Sequence, residues 1–239
     1  MPDLDAALRE LSIDLDATAI ERLDAYVDRL ATPGFNLTSL RDRDPGALIR
    51  RHILESLAFG CLLENQGLLG GSVRILDIGA GAGLPGIPLK IGWSAIRLTL
   101  LESVGKKCRF MRNVASELAL DNVDVLEGRA EDYGREPALR ESFDLVVARA
   151  VAPLPVLLEY ALPFLRLGGH LAAPKGSAAL SEIDAAERAL GELGGRLVDA
   201  PQLRPPGGLP LTVVIVEKHA PTPERYPRRP GIPSKRPIG

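Results

Sequence analysis

The residues best suited to chemistry lie in the segment VRILDIGAGAGLPG, residues 73–86. Its apolar start predicts a buried strand, and glycines then follow at alternate positions, Gly79, Gly81 and Gly83. Because glycine has no Cβ, such a turn lets a ligand approach the main chain closely. Asp77 brings a carboxylate to the end of the strand, so the segment predicts a ligand site at a strand-to-helix turn.

Two ligand classes could use this turn. Gly81, Gly83 and Gly86 match the GxGxxG fingerprint of dinucleotide-binding proteins. Asp77 favours another ligand, because a carboxylate would repel a pyrophosphate but would suit the cationic end of S-adenosyl-L-methionine. The spacing Asp77-x-Gly79-x-Gly81-x-Gly83 resembles the first motif of class I methyltransferases. We expect S-adenosylmethionine as the cofactor, with a nicotinamide or flavin site and a purely structural turn as alternatives.

Around this turn, strand and helix patterns alternate along the chain. Strand patterns cover residues 73–77, 97–101, 123–127, 143–148, 170–174 and 211–217, and helical patterns lie near Ile87 and over residues 105–120, 153–165 and 178–193. This alternation predicts an α/β fold with a largely parallel, twisted sheet and helices on both faces. The carboxyl ends of the strands then share one edge, outside which ligands bind.

The chain divides into three expected parts. Apolar residues at helical spacing over residues 3–31 and 45–65 predict an N-terminal helical extension. Six prolines from residue 220 onward predict an extended, unpacked arm. We therefore expect the helical extension at residues 1–66, a class I (Rossmann-like) methyltransferase domain at 67–218 and a basic, proline-rich C-terminal arm at 219–239.

The arm differs in charge from the rest of the chain, and the net charge of all 239 residues together is −2. Residues 219–239 carry five Lys or Arg side chains against one acidic side chain, whereas the rest of the chain carries 24 basic and 30 acidic ones. A polyanion would therefore be attracted to particular patches and not to the whole surface.

Several classes of protein are disfavoured by what the sequence lacks. No apolar run approaches the ~20 residues of a membrane span, and the acidic start is no signal peptide, so a cytoplasmic protein with no membrane contact is expected. Cys61, Cys108 and three scattered histidines give neither a metal-ligand spacing nor a disulfide framework. No exposed apolar stripe demands a partner subunit, so a monomer is expected.

Further candidate residues follow the other predicted strands. Glu102 ends the second strand, where an acid can accept hydrogen bonds from both ribose hydroxyls of either ligand class. After the third strand, the segment GRAED at residues 128–132 could contact an adenine, although Glu131 or Asp132 could instead cap a helix. Arg149 ends an otherwise apolar strand, beside the place where a methyl donor and acceptor should meet. Because folding seldom requires a charge there, we predict that Arg149 positions the reactants, with a structural ion pair as the alternative.

The residues after Arg149 read AVAP at 150–153 and hold neither an Asn-Pro-Pro-Tyr motif nor a cysteine. The first would orient an exocyclic amine and the second would attack a pyrimidine ring. Their absence leaves acceptors that already have a free lone pair, such as a ring nitrogen. Such an acceptor needs alignment more than deprotonation.

Blocks spread over nearly the whole chain carry a more specific resemblance. They are NLT (36–38), RHILES (51–56), DIGAGAGLPGIP (77–88), GKK (105–107), RA (149–150), KG (175–176) and YPRRPGIPSKRP (226–237). Together they resemble the bacterial small-subunit ribosomal RNA guanine-N7 methyltransferases, the glucose-inhibited division protein B family. The last block is the most specific, because generic methyltransferases share the glycine motif but not this ending.

The resemblance implies an acceptor and a set of donor contacts. The acceptor is a guanine in the decoding-region loop of 16S ribosomal RNA, presented as RNA or as a small-subunit ribosomal particle. The implied S-adenosylmethionine contacts are Gly79, Leu84, Ala130, Glu131 and Arg149. Transfer would be a direct in-line displacement without a general base, because N7 of guanine carries no proton.

Basic residues are expected to hold the RNA. We predict a phosphate-binding rim formed by Arg50, Arg51, Lys175, Arg228, Arg229, Lys235 and Arg236. Three alternatives stay open: a methyltransferase for a small molecule, a nicotinamide oxidoreductase, and a non-catalytic RNA-binding module that keeps the nucleotide-binding fold.

Overall fold

The computed structural model describes residues 8, 9, 11, 13–32 and 44–239. The first part of the helical pattern predicted over residues 3–31 and the NLT block at 36–38 lie outside the described residues. Helix α1 spans Ala17–Ala31, and its N-cap Asp16 accepts a hydrogen bond from the main-chain N–H of Ala19. None of the described helices has the length and apolar character that crossing a bilayer requires.

Strands and helices alternate from residue 74 to residue 175, after which two helices, three strands and a final short helix follow. The helices are α1 (Ala17–Ala31), α2 (Pro45–Leu48), α3 (Leu54–Asn65), α4 (Gly86–Gly92), α5 (Gly105–Glu117), α6 (Ala130–Tyr133), α7 (Leu154–Ala161), α8 (Ala179–Asp184), α9 (Glu187–Leu193) and α10 (Ile232–Lys235), with a π-helical turn at Ile49–Ile53 and a 3-10 turn at Leu162–Phe164. The strands are β1 (Arg74–Ile78), β2 (Arg97–Glu102), β3 (Val123–Glu127), β4 (Phe143–Val147), β5 (Leu165–Lys175), β6 (Gly195–Asp199), β7 (Gln202–Leu203) and β8 (Leu211–Lys218).

The strands form one eight-stranded sheet in the order β3-β2-β1-β4-β5-β8-β6, and β7 also pairs with β8. The first five strands in this order are parallel, while β8 runs antiparallel to its neighbours β5, β6 and β7. The chain order reverses between β1 and β4, and ligands of such sheets bind in the crevice at that point. The predicted α/β fold with a largely parallel sheet is confirmed.

Five of the six predicted strands agree with the structure to within one residue at each end. The exception is β5, which begins at Leu165 and not at residue 170, because a register irregularity between β4 and β5 interrupts the alternating pattern at its start. Strands β6 and β7 were not predicted. In β6 all residues after Gly195 are exposed, so this edge strand has no buried face to create an alternating pattern.

Two apolar clusters cover the two faces of the sheet. Neighbouring residues of β1 belong to different clusters, Ile75 to the first and Leu76 to the second, as expected when side chains alternate across a strand. The first cluster includes residues of α1, α3, α4 and α5, and the second includes residues of α7 and α9. The N-terminal helices therefore share their core with the sheet, and helices cover both faces.

The C-terminal segment, residues 219–239, is packed against the sheet domain, so the prediction of an unpacked arm is wrong. Tyr226 and Ile238 are buried in the second apolar cluster. The guanidinium of Arg228 bonds both carboxylate oxygens of Glu159, which lies on α7 and is completely buried. Prolines favour extended backbone, but they do not prevent an extended segment from docking where apolar and charged partners are available.

Candidate active site

Two adjoining cavities open at the carboxyl edge of the sheet. The larger, which we call the large cleft, has a volume of about 700 Å³, and the smaller, the small pocket, has about 100 Å³. Gly79 and Val151 line both. The charged and titratable side chains of the large cleft are Arg51, His52, Glu55, Lys107, Arg149, Lys175 and Glu182. The small pocket is formed mainly by the ends of β1 and β2 and by the segment after β3.

Most predicted donor contacts lie in these cavities. Gly79, Gly81, Leu84 and Arg149 line the large cleft, and Gly79, Glu102, Ala130 and Glu131 line the small pocket. Asp77 and Gly83 line neither cavity. Gly83 belongs to the turn itself, because its φ of 95° favours glycine and a Cβ there would collide with the side chain of Ile87.

Backbone geometry explains the first glycine of the loop. Gly79 has a φ of 66°, a left-handed conformation that other residues adopt only with strain. A Cβ at this position would also lie 2.9 Å from the side chain of Val151. Gly79 therefore allows Val151 to approach the main chain closely where the large cleft and the small pocket adjoin.

Asp77 supports the loop from behind. Its side chain is completely buried, and its Oδ2 accepts a hydrogen bond from the main-chain N–H of Gly86 at 2.9 Å. Its Oδ1 has no hydrogen-bond partner among the described residues. Burial raises the pKa of Asp77 to about 7, although the Gly86 hydrogen bond and the charge of Arg149 act in the opposite direction. Asp77 therefore holds the loop through Gly86, while its contact with a cationic ligand stays a prediction.

Helix α1 fixes the same loop from the other side. Tyr26, completely buried, donates a hydrogen bond through its Oη to the carbonyl of Ala82 at 2.7 Å. Burial raises the pKa of Tyr26 well above its usual value, so the hydroxyl keeps its proton and remains a donor. The apolar pattern over residues 3–31 predicted only a helical extension, because a tyrosine within such a pattern carries no signal for a contact with a loop 56 residues away.

Glu102 lies where the sequence placed it, at the end of β2. Its Oε2 accepts a hydrogen bond from the main-chain N–H of Gly81 and its Oε1 one from that of Val104, both at 3.0 Å. Lys107 lies 3.5 Å from Oε2 and balances the charge. Glu102 therefore ties the glycine loop to the second strand while forming one wall of the small pocket.

Glu131 forms another wall of the small pocket. Helix α6 begins after Arg129, and no side-chain hydrogen bond caps it, so the alternative in which Glu131 or Asp132 is the N-cap is wrong. Oε1 of Glu131 instead accepts a hydrogen bond from the main-chain N–H of Gly231 at 3.0 Å. Tyr160 also lines this pocket, a residue that the sequence did not single out.

Arg149 lies in the large cleft within a cluster of three side chains. Its Nη1 donates to Oε1 of Glu55 at 3.0 Å, and its Nη2 lies 3.4 Å from Nδ1 of His52. Burial, then the charges of Arg149 and Arg51, lowers the pKa of His52 from 6.5 to about 4, so His52 is neutral at pH 7. The sequence missed His52 and Glu55 as site residues, although both lie in the RHILES block.

The predicted RNA-binding residues do not all lie together. Arg51 and Lys175 line the large cleft, where Lys175 also forms an ion pair of 2.8 Å with Glu182. Arg50 neighbours Arg51 on the π-helical turn but is not among the residues lining the cleft. The four residues of the C-terminal segment that were predicted to bind RNA line neither cavity: Arg228 is paired with Glu159, whereas Arg229, Lys235 and Arg236 are exposed.

Comparison with known proteins shows extensive similarity. The family model for rRNA small subunit methyltransferase G (GidB) matches residues 19–205. The chain is 45% identical over 228 residues to the ribosomal RNA small subunit methyltransferase G of Chloroflexus aggregans, covering 95% of this chain and 93% of that protein. A protein of the same name from Deinococcus radiodurans is 44% identical over 211 residues, covering 88% of this chain and 81% of that protein.

Solved structures with a similar fold are more distant in sequence. The cofactor-bound protein Rv0187 from MTB superposes with a TM-score of 0.57 at 23% identity, covering 91% of this chain and 96% of that one. A SAM dependent methyltransferase from Aquifex aeolicus gives a TM-score of 0.53 at 16% identity, covering 82% and 98%. This likeness shows the fold alone, which is the Rossmann-like class I fold expected from the sequence.

Proposed function

We propose that this chain, which belongs to the rRNA small subunit methyltransferase G family, transfers a methyl group from S-adenosylmethionine to N7 of a guanine in 16S ribosomal RNA. Methyl transfer from S-adenosylmethionine follows from the family, whereas the nucleotide and the acceptor atom are the proposal. The observation that carries it is the large cleft, whose basic side chains adjoin the small pocket across Gly79 and Val151.

The small pocket and the glycine loop fit the methyl donor. In the proposal, Glu102 accepts hydrogen bonds from the ribose hydroxyls, and the main chain at Ala130 together with Glu131 contacts the adenine. The methionine part lies along the loop from Gly79 to Leu84. When bound, S-adenosylmethionine supplies an electrophilic methyl group on a positively charged sulfur. In the proposal, that methyl group faces the large cleft beside Gly79, which lines both cavities.

The residues of the large cleft suit an acceptor that needs no deprotonation. N7 of guanine carries a lone pair and no proton, so positioning supplies most of the rate acceleration, for which intramolecular models allow effective molarities up to ~10⁵ to 10⁸ M. Arg149 is held by Glu55 and can therefore align the base without moving. Since methylation makes the base cationic, the Glu55 carboxylate also keeps the Arg149 charge from opposing the reaction.

Phosphate contacts are assigned in two layers. Arg51 and Lys175 lie in the large cleft and would hold phosphates beside the target nucleotide. Arg50, Arg229, Lys235 and Arg236 would provide outer contacts. Arg228 is left out of this layer, because its partner Glu159 is completely buried, whereas Glu182, the partner of Lys175, is partly exposed.

The test is nucleoside mass spectrometry of 16S ribosomal RNA from cells that lack this protein. We expect loss of one 7-methylguanosine, its return with the wild-type gene, and no return with Arg149→Ala. Arg166→Ala is the matched control, because Arg166 lies beside Asp144 at the opposite edge of the sheet and should complement fully. Unchanged 7-methylguanosine in the deficient cells would contradict the proposal.

A further inference from the structure

The side chains of the large cleft that face Arg149 come from an irregular part of the N-terminal helices. In the π-helical turn, the main-chain N–H of Leu54 donates to the carbonyl of Ile49 across one residue more than in an α-helix. One extra residue turns the following side chains by about 100° relative to a regular helix. His52, within this turn, and Glu55, just after it, both line the large cleft, and π-turns of this kind are frequent at functional sites.

The contact with Arg149 fixes which nitrogen of His52 carries the proton. A guanidinium has only donors, so Nδ1 of His52 must accept in the 3.4 Å contact with Nη2. A neutral imidazole then has its single N–H at Nε2. Glu55 holds the other arm of the guanidinium at 3.0 Å, which keeps the contact in place. The cluster therefore presents a neutral ring with its donor at the nitrogen that faces away from Arg149.

We propose that His52 determines specificity for guanine by donating its Nε2–H to O6 of the target base. This inference rests on the proposed function and deepens it. Beside N7, guanine presents a second acceptor at O6, whereas adenine presents an amine at the same position. A fixed donor next to the reacting nitrogen can therefore donate a hydrogen bond to O6 of guanine. In adenine the same donor would face the N–H of the amine, and two donors cannot form a hydrogen bond.

The neutral charge of His52 matters for the transfer of the methyl group to N7. The base gains a positive charge when N7 is methylated, and a protonated imidazole beside it would oppose that charge. Burial lowers the pKa of His52 most, and the positive charges of Arg149 and Arg51 lower it further, while the carboxylate of Glu55 is ion-paired with Arg149. The cluster thus offers a hydrogen-bond donor next to the reacting atom without adding a cation there.

The experiment uses ribosomal RNA in which the target guanine is replaced by 2,6-diaminopurine, which keeps N7 but carries an amine in place of O6. We expect the wild type to prefer guanine by ~100-fold or more in kcat/KM, because a site built for an acceptor rejects its replacement. His52→Ala should lower kcat/KM for guanine by roughly 10- to 100-fold and affect the diaminopurine substrate little or even favourably. His52→Gln, whose amide nitrogen can occupy the place of Nε2, should restore much of the preference.

Several outcomes separate this role from a structural one. The matched control is His170→Ala, since His170 is a partly buried histidine on β5 away from the large cleft and should leave the base preference unchanged. Equal losses on both substrates with His52→Ala, or an unchanged rate on guanine, would overturn the inference. The His52→Ala and His170→Ala proteins are both checked for unchanged affinity for S-adenosylmethionine. If the wild type transferred no methyl group to guanine N7, the proposed function would fail instead, and this inference with it.

Discussion

The glycine loop and the large cleft adjoin, yet they are built in different ways. The loop is held by buried hydrogen bonds to its main chain, from Tyr26 to a carbonyl and to Asp77 and Glu102 from amides. The cleft instead presents charged side chains in ion pairs that keep partial access to solvent, such as Arg149 with Glu55. We call the glycine loop, which holds S-adenosylmethionine in the proposal, the donor half, and the large cleft, which holds the RNA, the acceptor half. The donor half is part of the core, so we expect changes there to alter stability and the affinity for S-adenosylmethionine. Changes in the acceptor half should alter turnover and RNA affinity.

The largest effect we expect is a loss of stability in the C-terminal segment. There Arg228 is bonded to the buried Glu159, as in the core, whereas its neighbour Arg229 is exposed. Arg228→Ala leaves Glu159 buried without its partner, and breaking a buried ion pair in this way costs about 3–5 kcal/mol. Urea unfolding should show this loss. The neighbouring exposed Arg229→Ala is the control and should leave the free energy of unfolding unchanged while weakening RNA binding. A stable Arg228→Ala protein with weakened RNA binding would place Arg228 in the acceptor half.

The second effect concerns the charge of Asp77. Its pKa is about 7 in the folded protein against 3.8 for the free side chain, so the folded state binds this proton more tightly than the unfolded chain does. Stability contributed by Asp77 therefore falls as pH rises from about 4 to about 7, and by pH 8 the buried carboxylate costs roughly 2–4 kcal/mol. Asp77→Asn keeps an acceptor for Gly86, so it should unfold at higher urea than the wild type at pH 8, with the difference shrinking towards pH 4. A pH-independent difference would refute this assignment.

A smaller effect should follow removal of the hydroxyl that holds the loop. Tyr26→Phe loses one buried hydrogen bond to the carbonyl of Ala82, which is worth about 1 kcal/mol. We expect the dissociation constant for S-adenosylmethionine, measured calorimetrically, to rise roughly fivefold. RNA affinity serves as the internal control and should not change. If RNA affinity fell with unchanged donor affinity, the two halves would not be separable in this way.

The smallest effect should appear in the acceptor half. Arg51→Ala removes one expected phosphate contact from the large cleft. The negative slope of log affinity for RNA against log salt concentration should therefore become shallower by about one. Donor affinity should stay at the wild-type value. Arg166→Ala at the opposite edge of the sheet should change neither quantity. An unchanged slope for Arg51→Ala would remove this residue from the phosphate contacts.

The same contrast explains how much could be predicted from the sequence. The strands and the glycine loop could be predicted, because apolar alternation and the spacing of Asp77 and the glycines are local patterns. In the cleft, Arg149, Arg51 and Lys175 could be predicted as site residues, but the partners of Arg149 could not. Arg149 meets Glu55 across 94 residues of sequence, and the π-helical turn leaves no compositional signature. The docking of the C-terminal segment depends on Glu159, which in a helical pattern looks like any solvated glutamate.

The central claim is that the two halves meet at N7 of a guanine. It is tested most directly by methyl uptake from labelled S-adenosylmethionine onto small subunits assembled with 16S RNA in which 7-deazaguanosine replaces the guanosines. This analogue keeps the base-pairing edge but has a C–H in place of N7. We predict that particles with normal guanosine take up one methyl group and that the 7-deaza particles take up none. Equal uptake by both would contradict the account.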